Sequence, residues 1–151
     1  MNKYIQPNRA SCFLTAVCMC IKVDVHYAMA ELGHDGTEKL FPQFDVPKCY
    51  RGYHECEMSY LCHLHGYTFT RFDREIYMGF NESTATKIKT PYCFDLLIKT
   101  NKGVLTCERT LNNDHGHVVA WDGFRIYDPN GMTSDFFGNW NTFYKITKEL
   151  R

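Results

Sequence analysis

A chain of 151 residues is long enough for one domain with a real core and too short for two ordinary ones, so residues 1–151 read as a single domain. Lysine plus arginine and aspartate plus glutamate both number 17, with no long run of one sign, which leaves no basic excess to hold a phosphate backbone and excludes nucleic acid as a partner. Apolar residues at 44% give a globular rather than a disordered composition. No apolar stretch of secretory type follows Met1 to Ile5, and the longest apolar run, Phe13 to Val23, is broken by Thr15 and Lys22. The expectation is a soluble, cytoplasmic protein with no membrane partner.

The segment Cys12 to Val23 carries Phe13, Ala16, Val17, Cys20 and Ile21 at the spacing of a buried helix, with Ser11 as its N-cap or Asn8 one turn earlier. A second helix is predicted over Val25 to Leu32, stopped by Gly33. Gly36 to Arg51, with Pro42 and Pro47, has no sustained period and reads as loop. A third helix runs from Glu55 to His65 and stops at Gly66. Strand alternation follows over Tyr67 to Phe72, then an ambiguous polar stretch over Arg74 to Pro91. Tyr92 to Thr100 places Phe94, Leu96 and Ile98 on one face, and predicts a strand that turns at Asn101-Lys102-Gly103 into an antiparallel partner over Val104 to Arg109. Leu111 to Gly116 is a polar loop, followed by His117 to Trp121, Asp122-Gly123 and Phe124 to Asp128. Helices first and strands later predict an α+β domain, with N-terminal helices packed on a C-terminal antiparallel sheet.

Eight cysteines require an account. No CxxC pair is present; Cys18-Met-Cys20 and Cys62-His63-Leu-His65 come nearest to a metal-binding spacing, and structural zinc is the lesser reading. Reduced cysteines acting as small hydrophobes are the expectation, Cys18, Cys20 and Cys62 in helices and Cys93 and Cys107 in strands, with Cys49 and Cys56 in or near loops.

Asp-Gly between alternating apolar residues is a strong signal for a two-residue hairpin. Trp121 then faces Phe124, Val119 faces Ile126, and His117 faces Asp128, all on one face of the ribbon. Opposed side chains have Cβ atoms about 5 Å apart, within reach of an imidazole–carboxylate hydrogen bond, and a one-residue slip would abolish the pairing. An aspartate so placed fixes the imidazole tautomer and leaves the other ring nitrogen for a nucleophile. A half-buried polar cross-strand pair is the ordinary alternative. His115, two residues earlier, would lie opposite Asn130 beyond the strand end.

Cys12 opens the first helix, where backbone N–H groups and the helix dipole lower a thiol pKa. Gln6, six positions earlier, carries an amide able to donate to a developing oxyanion beside the cysteine's own N–H.

These residues form a pattern. Gln6-Pro-Asn-Arg-Ala-Ser-Cys12 ahead of an apolar helix resembles the Gln-x5-Cys start of papain-like cysteine peptidases. The run Gly116-His117-Val-Val-Ala-Trp-Asp-Gly-Phe-Arg-Ile-Tyr-Asp128-Pro129-Asn-Gly131 resembles the His-to-Asp-Pro segment of their C39-like, bacteriocin-leader-processing branch. The resemblance covers the two ends of the chain, and the middle by element order. It implies a papain-like fold with Cys12 as nucleophile, His117 as general base and acid, Asp128 orienting His117, and Gln6 lining the oxyanion hole. It implies hydrolysis of a peptide, isopeptide or amide bond in a peptide or protein substrate, with no cofactor. The same triad supports deamidation, transglutamination or acyl transfer. A non-catalytic binding or inhibitory protein on such a scaffold is the competing expectation; the aromatics Tyr127, Phe136, Phe137 and Trp140 would serve its surface or else the core.

Overall fold

A computed structural model describes residues 1–43, 50–74, 90–107, 116–131 and 140–150. Cys49, His115, Phe136 and Phe137, most of the ambiguous stretch between 74 and 91, the ends of the predicted strand and loop over 108–115, and part of the loop over 36–51 lie outside them. The described elements are α1 (Cys12–Ile21), α2 (Val25–Leu32), α3 (Glu55–Leu64), β1 (Tyr67–Asp73), α4 (Thr90–Lys99), β2 (Gly103–Cys107), β3 (His117–Trp121), β4 (Ile126–Tyr127) and β5 (Trp140–Lys148). Together they make an α+β domain around one five-stranded antiparallel sheet, in the order β1-β5-β2-β3-β4. Among the described residues no single helix is long and apolar enough to cross a membrane.

The three N-terminal helices form as their sequences predict. Lys22 ends α1 in a left-handed conformation, so the helix is slightly shorter than its apolar run. Asp24 caps α2 by accepting from the Tyr27 N–H, and Gly33 at φ +77° closes it. Glu57 caps α3 through the His54 N–H.

Alternation along the strands divides the core in two. Val104, Val118, Ala120, Tyr144 and Ile146 point at α1, α2 and α3. Leu105, Val119, Trp121 and Phe143 point the other way, onto Phe94 and Ile98 of α4. Trp140 is buried in this second cluster, so the core reading of that aromatic holds. The strand it begins, β5, lies between β1 and β2 and had no counterpart in the sequence reading, although Trp140, Phe143, Tyr144 and Ile146 give it the aromatic and β-branched content of a buried strand.

The predicted strand over Tyr92 to Thr100 is instead the helix α4, so Cys93 lies in a helix as well. Phe94, Leu97 and Ile98 fall at the i, i+3, i+4 spacing and meet the second cluster, while Leu96, assigned to the inward face of a strand, is exposed. Pro91 falls in the first turn, where its missing N–H costs nothing. At the other end the Asn101 amide donates to the Leu97 carbonyl at 2.7 Å and the Thr100 hydroxyl to that of Leu96 at 2.8 Å, which satisfies carbonyls the helix leaves open. The residues assigned to a hairpin turn therefore terminate a helix. β2 finds its antiparallel partners in β3 and β5.

The β3–β4 hairpin exists, with a different turn. Trp121 pairs with Ile126 and Ala120 with Tyr127, so the loop holds Asp122 to Arg125 rather than two residues. Asp122 is the cause. Its Oδ1 accepts from the N–H groups of Phe124 at 2.8 Å and Arg125 at 2.7 Å, and its Oδ2 from the Tyr127 hydroxyl at 2.9 Å. A carboxylate that gathers two N–H groups two and three residues ahead builds a wider loop than a type I′ turn. Gly123, at φ +102°, still supplies the left-handed residue.

Candidate active site

The register shift moves Phe124 away from Trp121 by two residues, and two is the strand's side-chain period. His117 and Asp128 accordingly stay on a common face as diagonal rather than direct neighbours. Their side chains meet, with His117 Nε2 2.8 Å from Asp128 Oδ2. Diagonal cross-strand neighbours remain within reach of long side chains. The expected pair is present, through a register other than the one that predicted it.

Asp128 is held by its own turn. In Asp128-Pro129-Asn130-Gly131 the Gly131 N–H donates to the Asp128 carbonyl at 2.9 Å, and the Asn130 N–H donates to Asp128 Oδ1 at 2.8 Å. Aspartate first, proline second and glycine fourth are the preferences of a type I turn, a signal legible in the sequence. One carboxylate oxygen thus secures the backbone and the other holds the imidazole. With Nε2 as donor to Asp128, the neutral imidazole has Nδ1 as its acceptor nitrogen.

Cys12 reaches the same place from α1. Burial pushes its thiol pKa up, and the nearby Asp128 charge adds to this. The N–H groups of Phe13, Cys12 itself and Val118 pull the other way without reversing the shift. The helix-start expectation of a lowered thiol pKa is therefore corrected: the N–H groups act as expected, and desolvation outweighs them. The Val118 N–H, at the start of β3, is among the groups that meet the thiol.

Gln6 comes to the site through its backbone, its N–H donating to the Pro129 carbonyl at 2.9 Å. Lys3 reaches the Gly131 carbonyl, so residues 3–6 run alongside the Asp128 turn. The Gln6 side-chain Oε1 is buried with no hydrogen-bond partner among the described residues. Such an orphan costs about 1–3 kcal/mol, and a half-turn of the amide would put an N–H donor in the same place.

The other described cysteines differ from Cys12. Cys18, Cys20, Cys56 and Cys62 are free, and all but Cys56 are buried. Burial pushes the thiols of Cys20 and Cys62 up to about 12, and that of Cys18 further. Cys56 lies in the first turn of α3, beside the loop that precedes it, as expected. Among the described residues no group of three or more His, Cys, Asp or Glu side chains is arranged to hold a metal ion.

No family model, curated protein or solved structure matches the chain.

Ser11 and Asn8, the two candidate caps of α1, also shape the site. Ser11 is completely buried at the N-cap position of α1, yet its hydroxyl makes no cap bond and donates backward to the Asn8 carbonyl at 2.9 Å. The first turn of α1 thus keeps its N–H groups clear of a side-chain cap, unlike that of α2, where Asp24 accepts from the Tyr27 N–H.

Proposed function

We propose that the protein is a cysteine hydrolase of papain-like, C39-like type that cleaves a peptide, isopeptide or amide bond in a peptide or protein substrate through an acyl-cysteine intermediate. The observation that carries this reading is the 2.8 Å bond from His117 Nε2 to Asp128 Oδ2 at the strand end where the Cys12 thiol lies. In the first half-reaction His117 Nδ1 takes the Cys12 proton, Sγ bonds to the substrate carbonyl carbon, and the tetrahedral oxyanion is held by the Cys12 N–H and the Gln6 amide. The C–N bond then breaks as His117 returns the proton to the leaving amine. In the second, His117 deprotonates a water that attacks the thioester, and the Sγ–C bond breaks with the proton back on sulfur. Because desolvation raises the Cys12 thiol pKa, the cycle is written with His117 taking the proton from a thiol as general base.

The raised pKa of the half-buried Cys12 thiol favours a second reading, in which the scaffold binds a peptide without turning it over. One experiment separates the two. The full chain is treated with p-nitrophenyl acetate and the acetylated residue located by mass spectrometry. Hydrolase chemistry predicts acetyl on Cys12 well ahead of the other seven cysteines, and loss of that preference in His117→Ala. Uniform labelling, or another cysteine reacting first, refutes it.

A further inference from the structure

We infer that Asn8 is a positioning residue that sets Gln6 against Cys12, an inference that rests on the acyl-cysteine reading. The five residues between Gln6 and Cys12 have no regular structure, and two side chains fix their path. Asn8 Oδ1 accepts from the Ala10 N–H at 2.9 Å, which closes an Asx turn. The buried Ser11 hydroxyl donates to the Asn8 carbonyl and accepts from the Asn8 N–H at 3.3 Å. Asn8 and Ser11 thus lock the loop to itself.

The Asn8 amide also ties that loop to the rest of the molecule. Its Nδ2 donates to the Asp35 carbonyl at 3.0 Å. Asp35 sits in a turn that is itself braced: His34 Nδ1 accepts from the Gly36 N–H at 3.1 Å, His34 Nε2 lies 2.8 Å from Glu57 Oε1, and the ring stacks on Tyr53 with centroids 4.7 Å apart. The Tyr53 hydroxyl donates to the His34 carbonyl at 2.9 Å.

Cys12 does not depend on this tether, since α1 is fastened along its length by the core beneath it. Gln6 does. Its far side is secured to Pro129, and on the Cys12 side the loop is held by the Asn8 and Ser11 hydrogen bonds, with the exposed Arg9 guanidinium lying 5.6 Å from the centre of the Tyr50 ring. Loss of the Asn8 amide therefore displaces the oxyanion donor while leaving the thiol and His117 in place.

Two reagents read these effects apart. Acetylation of Cys12 by p-nitrophenyl acetate passes through a tetrahedral oxyanion, with acetyl moving to Sγ and p-nitrophenolate leaving. Alkylation by iodoacetamide is a direct displacement of iodide at a saturated carbon and forms no oxyanion. Asn8→Ala should slow acetylation roughly 10- to 100-fold and leave the iodoacetamide rate within about twofold. Asn8→Asp keeps the Asx turn and loses only the donor to Asp35; it should slow acetylation alone in the same way, and it carries the test if Asn8→Ala lacks a cooperative melt. In a Gln6→Ala background, Asn8→Ala should cause no further loss, because residues acting through one group do not add. Equal slowing with both reagents, a multiplied loss in that background, or unchanged acetylation would each overturn the role of Asn8 while leaving the triad intact. Wild-type protein whose Cys12 acetylates no faster than in His117→Ala would overturn the underlying reading, and this inference with it.

Discussion

Asp122 opens the loop between β3 and β4, Asp128 directly follows β4, and the two use the same local device. Each carboxylate gathers backbone N–H groups ahead of it, Asp122 from Phe124 and Arg125, Asp128 from Asn130. They part at the second oxygen. In Asp122 it accepts from the Tyr127 hydroxyl, within the same hairpin. In Asp128 it holds His117, eleven residues away, and the following turn also receives Gln6 from the N-terminal segment. A turn aspartate becomes part of a site when its spare oxygen orients a titratable group and when other chain segments converge on its turn.

Asp128→Asn gives the largest separation between the two. The amide oxygen can still accept from the Asn130 N–H, so the turn survives. Its NH2 group would face His117 Nε2 and force the proton onto Nδ1, the nitrogen needed as base. Acetylation of Cys12 should fall roughly 10³- to 10⁴-fold, with a melting free energy changed by no more than about 1 kcal/mol. The same substitution removes a negative charge that raises the Cys12 pKa. The midpoint of the alkylation rate against pH should therefore lie above the ordinary cysteine range in the wild type and move down in the variant. A wild-type midpoint below that range would mean a standing thiolate–imidazolium pair.

Asp122→Ala should do the reverse: lose about 1 kcal/mol of stability with its two backbone hydrogen bonds, and leave acetylation unchanged. Its pH dependence has a definite sign. Burial works against the ionised form of Asp122, but the Arg125 and Phe124 N–H groups and the Tyr127 hydroxyl together hold the carboxyl below its usual range. A depressed folded-state pKa stabilises the protein fully above the unfolded aspartate value of about 3.9, and this is lost as pH falls through the folded-state value. Urea denaturation from pH 7 down to acid should show a steeper loss for wild type than for Asp122→Ala. Parallel curves would remove Asp122 from the account of acid stability.

The difference between these turns also marks how far the sequence could be read. Residues with strong local signals formed as expected: α2 between Asp24 and Gly33, α3 up to Gly66, and a hairpin at Asp122-Gly123. The His117–Asp128 pair was legible because a two-residue error in register keeps face parity. Tyr92 to Thr100 failed because Phe94, Leu96, Leu97 and Ile98 satisfy both the strand and the helix period over so short a run, and Pro91 with Asn101, which favour a helix between them, carried the better information. β5 went unread although its aromatics are plain, since its neighbours β1 and β2 are distant in sequence. The sign of the Cys12 shift was out of reach for a related reason. Helix position is local, whereas the burial that outweighs it comes from β3 and the core, and no spacing rule reports it.

The smallest expected effect compares the glycines of the two turns. Gly123 and Gly131 both have positive φ, +102° and +89°, so alanine at either should cost about 1 kcal/mol in backbone strain. Their surroundings differ. A Cβ on Gly123 would meet nothing within 4 Å, so Gly123→Ala should lower the melting temperature slightly and leave acetylation of Cys12 alone. A Cβ on Gly131 would come 3.2 Å from Ile5 Cδ1, at the neighbour of Gln6. The Ile5 tip can give way, so the added stability loss is small. The push nonetheless falls on the segment that carries Gln6 to the Pro129 carbonyl. Gly131→Ala should thus lower the acetylation rate severalfold at a stability loss similar to that of Gly123→Ala. Equal acetylation in the two variants would show that the path of residues 3–6 does not bear on the site.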